Sequence, residues 1–148
     1  LVFIAIVLGG LTAHVPGANT ACPGFPLCDR SLLPTHSIQV LQYFHRLVAF
    51  AVFFYVGWLG VALTRRGEPR MALAARVVLT LIFAQIIVAA TMIAFRLPPL
   101  WRSLHEAVGT LLWIVVFAVA YVARQQARSA LTAAPAPTPV GRAAEARA

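Results

Sequence analysis

Three stretches of this chain, residues 37–63, 71–95 and 100–123, are each long enough to cross the roughly 30 Å hydrocarbon layer of a bilayer, and each is almost free of charge. No soluble domain of 148 residues hides that much apolar side chain, and the whole sequence is 61% hydrophobic with only 11% charged residues. The expected fold is therefore all-α: an integral membrane four-helix bundle whose first helix, residues 1–13, is too short to span by itself. We read that segment as the end of a transmembrane helix whose first turns are missing. It has no basic stretch ahead of it, which argues against a cleaved signal peptide.

The loops have distinct characters. Residues 14–36 carry Pro16, Pro23, Pro26 and Pro34 and cannot continue a helix. Residues 64–70 ("TRRGEPR") form a short basic connection, and residues 96–99 ("RLPP") a tight turn. From Gln125 onward the sequence becomes Ala/Pro-rich and loses apolar periodicity, so the expected division is a four-helix domain over 1–124 and a disordered tail over 125–148.

Charge sets the expected orientation. All twelve basic residues are arginines, giving a net charge of +8. On a soluble chain this would suggest nucleic acid, but here the arginines flank apolar runs, as in membrane proteins, and no nucleic-acid partner is expected. Arg65, Arg66, Arg70, Arg76, Arg124 and Arg128 mark the cytoplasmic side, while Arg30, Arg46, Arg96 and Arg102 lie toward the other. The loop holding the only cysteines then faces outward and the tail is cytoplasmic.

Cys22 and Cys28 sit six residues apart in "ACPGFPLCDR". Free thiols and a metal pair with His14 or His36 are possible readings, but four ligands at zinc spacing are not evident. A disulfide suits the spacing and the oxidising side of the membrane. Its role, structural or redox, is left open by the residues.

His45 and His105 carry the chemistry. An ionisable residue inside an apolar span is a functional candidate by default. At 1.5 Å rise per residue His45 lies about 12 Å and His105 about 7 Å inside spans entered from the same side. Two neutral imidazoles at comparable depth suit the axial positions of a haem iron. Arg46 and Arg102 are placed to pair with haem propionates or else to snorkel to the interface. Gln42, one turn outward from His45, is placed to orient its imidazole or touch the cofactor rim. Glu106, directly after His105, is expected to point elsewhere. Gln85 and Thr91 are expected to form interhelical hydrogen bonds. The aromatics Phe50, Phe53, Phe54, Tyr55 and Trp58 are expected to face lipid or core, some lining a porphyrin slot.

"LGGLTAHVPGANTACPGFPLC", "LQYFHRLVA" and "RSLHEAVGTLLW" together resemble the haem A synthase family, membrane enzymes that convert haem O to haem A for terminal oxidase assembly. The resemblance covers residues 8–113. It implies two homologous four-helix halves, each with an outer cysteine pair and two axial histidines. On this chain it implies haem ligation by His45 and His105 and an outer disulfide between Cys22 and Cys28. The family's substrate-processing half carries a glutamate three residues before the helix-two histidine, where this chain has Gln42. The resemblance is thus to the C-terminal half, which holds haem b. Oxidation of the C8 methyl of haem O would then need the missing N-terminal half or a second copy, in a bacterial-type inner membrane. Haem O synthase and a thiol or quinone electron donor are the implied partners. The alternative is a four-helix cytochrome b that moves electrons without substrate chemistry. A thiol–disulfide oxidoreductase using Cys22 and Cys28 with a quinone, and a haem-free bundle, are the remaining rivals.

Overall fold

The computed structural model describes residues 1–26, 28, 33–65 and 69–133. Four helices follow one another: α1 (Val2–His14), α2 (Ser37–Arg65), α3 (Pro69–Ala94) and α4 (Pro99–Ala133), with one 3₁₀ turn, Ala18–Thr20, in the first loop. Helices α2, α3 and α4 are long and apolar enough to cross a membrane. Their outward faces carry side chains such as Phe54 and Trp58, each 67% exposed. In water such faces would be untenable; in a bilayer they meet hydrocarbon at no cost.

Local chemistry explains where the helices begin and turn. Gln39 reaches back from the first turn of α2, its Oε1 accepting from the backbone N–H groups of Thr35 and His36. That satisfies donors which the helix start leaves orphaned. Helices α3 and α4 both open on a proline, whose missing N–H costs nothing at a first helical position. Helix α3 closes with Arg96 N–H donating to the Ile93 carbonyl and Leu97 N–H to the Met92 carbonyl, the paired bonds of a Schellman ending. Arg96 (φ 59°) and Leu97 (φ 63°) are both left-handed, at a cost of roughly 1–2 kcal/mol per residue for side chains with a Cβ. This turn carries the chain into α4, where Trp101 stacks on Phe95 at 6.4 Å.

Residues Leu1–Phe117 form one compact unit, and a second begins at Ala118. Within the first, α2 packs on both α1 and α3. Gly60 permits the close approach to α3, since a Cβ there would come within 2.8 Å of Leu79. The buried apolar side chains of α2 and α3 are Val52, Val56, Ala72, Ala75, Val78, Ile82 and Val88. On the first part of α4, Leu112 is buried at 3% exposure. Gln85 of α3 bonds to His105, and Phe3 of α1 meets Trp113 at 6.4 Å.

In the second unit the helix continues to Ala133, past residue 124 where the sequence reading ends it. Arg124, Gln125, Gln126, Ala127 and Arg128 are good helix formers, and no proline occurs before Pro135. The rest of the expected tail, residues 134–148, lies outside the described residues, as do Arg30 and Arg66.

Candidate functional site

Residues of α1, α2, α3 and α4 line a cavity of about 440 Å³, within the range of small-molecule and cofactor sites. It reaches from Val2, Val52 and Leu112 to His14, Asn19, Leu97 and Arg102. That second end is where α1 and α3 finish and α2 and α4 begin, so it is also the end that carries the cysteine loop.

The loop forms a roof held from below. Cys22 and Cys28 are joined in a disulfide with Cα atoms 4.5 Å apart, which removes the free-thiol and metal-pair readings of these residues. Both are almost fully buried, at 1% and 2% exposure. Arg46, on α2, donates through Nη2 to the Cys22 carbonyl at 2.7 Å and through Nη1 to the Gly24 carbonyl at 2.5 Å. Gln42, one turn outward, accepts from the Cys22 N–H at 2.9 Å and donates to the Asn19 carbonyl at 3.4 Å. Gln39 adds a bond to the Ala21 carbonyl. Three polar residues of one helix face thus satisfy backbone groups of the loop. Arg46 and Gln42 border the cavity, and their polar ends also bond to the roof.

His45 and His105 line the same cavity. His45 Nδ1 lies 3.1 Å from the carbonyl oxygen of Ala5 on α1. A carbonyl can only accept, so Nδ1 carries the proton and Nε2 keeps the lone pair. The ring fits because α1 has Gly9 beneath it: a Cβ there would fall 2.9 Å from His45 Cε1.

His105 is held by Gln85 of α3. The Gln85 amide nitrogen lies 3.1 Å from the His105 carbonyl oxygen, and 3.1 and 3.3 Å from the two ring nitrogens. An amide nitrogen nearly equidistant from both ring nitrogens cannot lie in the ring plane without striking the carbon between them. It therefore sits over the imidazole face, and the in-plane lone pair stays unused. Gly109, one turn along α4, leaves room for this amide; a Cβ there would come within 3.1 Å of it. Gln85 Oε1 is buried with no hydrogen-bond partner.

The rim carries charge. Arg102 and Glu106, one helical turn apart on α4, both border the cavity, and Glu106 is exposed. His14 also reaches the rim, its Nδ1 2.7 Å from the Gly10 carbonyl. Phe50 lines the cavity, while Phe54, Tyr55 and Trp58 face outward. Gln85 is an interhelical hydrogen-bonder as expected, whereas the Thr91 hydroxyl bonds back to Ile87 of its own helix.

Sequence reasoning missed two structural partners, Gly9 for His45 and Gly109 for Gln85. A glycine inside an apolar helix is a weak signal alone, because it equally marks plain helix–helix contact.

The fold and cavity define a helical membrane protein with two imidazoles facing one intrabundle space under a disulfide-closed roof. The chain belongs to the COX15-CtaA family of cytochrome oxidase assembly proteins, the haem A synthase family, whose pattern matches residues 1–117. No curated protein and no solved structure matches it.

Proposed function

We propose that this chain is the haem b-binding, C-terminal-like half of a haem A synthase, with His45 and His105 as the two axial ligands. The observation that carries the reading is that both imidazoles, from separate helices, border a single cavity. The donor set fits the group: His45 keeps the Nε2 lone pair, and the amide over His105 leaves its in-plane lone pair free. A cavity lined by all four helices fits a flat ligand inserted between them. Because the Arg46 guanidinium serves the loop, Arg102 and His14 at the rim are the groups left to meet propionates.

A bound haem supplies one-electron redox chemistry at its iron. The protein's part is to exclude water with the apolar walls, fix the two ring orientations, and cap the site with the roof. Gln42 argues against substrate oxidation in this half. Where the family's processing half has a carboxylate, this chain has an amide whose oxygen and nitrogen both serve the loop. The substrate haem, and conversion of its C8 methyl to a formyl group, belong to a partner half or a second copy. The site lies toward the outer face of a bacterial-type inner membrane, with the C-terminal end in the cytoplasm. Haem O synthase and a thiol or quinone donor are the fitting partners.

The same cavity also fits a four-helix cytochrome b that only transfers electrons, and the Gln42 amide favours that rival equally. Reduced-minus-oxidised spectra of the purified protein and of His45→Ala and His105→Ala variants, with haem extraction into pyridine, test the ligation. A low-spin spectrum lost in both variants, with haem B in the extract, supports it; a folded protein that takes up no haem overturns it. Haem O turnover on adding the complementary half separates synthase from plain cytochrome.

A further inference from the structure

The α3–α4 contact holds an unusual arrangement. Among the described residues, the side-chain hydrogen bonds that join α4 to another helix all come from Gln85. They end on the one α4 residue whose orientation the proposed ligation depends on. Gly109 opens the space the Gln85 amide occupies.

We infer that Gln85 is the positioning residue of His105: its amide, bonded to the His105 carbonyl and seated over the imidazole face, fixes the plane of the ring and the distance of α4 from α3. This rests on the ligand assignment above but adds a residue to which the family resemblance gives no role. Physically, a histidine ring has two side-chain torsions to be fixed. One N–H to the backbone and one to the ring face restrain both the helix position and the ring plane. Leucine would fill similar volume and supply neither bond. The orphaned Oε1 shows that the amide is not placed to satisfy itself. Turning it over to pair that oxygen with the ring would set oxygen against the His105 carbonyl, two acceptors at about 3 Å.

The arrangement is readable without haem. In haem-free protein with labelled glutamine and histidine, the Gln85 side-chain amide resonance should move upfield from its ordinary position. It should also show Overhauser contacts to the His105 ring protons, because a proton over an aromatic face is shielded. An ordinary amide shift with no contact to the ring overturns the inference. The second arm uses haem-loaded protein. Gln85→Leu should release haem about tenfold faster, the scale of second-shell ligand support, and move the midpoint potential with the fold intact by circular dichroism. Unchanged release and potential would overturn the inference. Wild-type protein that takes up no haem would defeat the ligand assignment alone, and the resonance measurement then decides the role of Gln85 by itself.

Discussion

Arg46 Nη2 donates to the carbonyl of Cys22 at 2.7 Å, so the residue directly after one cavity histidine is also the main tie of the disulfide loop. The roof and the His45 end of the cavity are therefore one mechanical unit. In the low-dielectric interior a guanidinium is tolerable only with its donors met, and loop carbonyls meet them here.

Replacing Arg46 with methionine keeps the aliphatic stem and strands the carbonyls of Cys22 and Gly24. Each buried acceptor left unpaired costs about 1–3 kcal/mol. Thermal unfolding in detergent should show a clear loss of stability. The Cys22→Ser/Cys28→Ser double variant should lose about 2 kcal/mol from the opened loop. Combining the two should cost less than the sum, because both act on one loop. Strict additivity would mean that the arginine and the bridge act independently.

Gly9→Ala is the sharpest single test of the His45 setting. The added methyl would lie 2.9 Å from Cε1 of the ring, closer than real carbon contacts allow, so either the ring or α1 must shift. The Nδ1 bond to Ala5 would break with either movement. The expected outcome is haem retention at least tenfold weaker with helix content unchanged, since such support is worth about 10–100-fold in metal affinity. Gly10→Ala is the control, because nothing lies within 4 Å of its built Cβ.

Much of this was legible in the sequence. Run lengths and proline positions place α1, α2, α3 and the start of α4 within a few residues, because spans and their breakers are set locally, whereas α4 ends about ten residues later than expected. The histidine pair was legible because ionisable groups in a span are rare and expensive. The bonds of Arg46 to the loop were not, because only the folded loop brings the carbonyls of Cys22 and Gly24 to its guanidinium.

Gln42→Glu tests whether position 42 alone separates the two kinds of half. A carboxylate keeps the acceptor for the Cys22 N–H but puts oxygen against the Asn19 carbonyl in place of the present donor. The expected result is a protein destabilised by about 1–3 kcal/mol that still binds haem and gains no oxidation of haem O. Chromatography of extracted haems after incubation with haem O and reductant reads this directly. Appearance of the formyl product would show that a carboxylate suffices and that the amide alone keeps this half silent.

The rim separates anchoring from ligation. Arg102 and His14 border the cavity at its roof end, on α4 and α1, and neither is placed as an iron ligand. Arg102→Gln should weaken haem binding modestly, and the Arg102→Gln/His14→Gln pair more strongly. The low-spin spectrum should be unchanged wherever haem remains bound, because propionate contacts set position and not axial field. Removing one ion-paired contact at a partly exposed rim is worth about 1 kcal/mol or less, so the single variant should lose no more than about fivefold in affinity. Haem titration into haem-free protein, followed optically, measures affinity and spin state together. A change to a high-spin spectrum in either variant would show that the rim fixes ligand geometry, and the division between anchor and ligand would have to be redrawn.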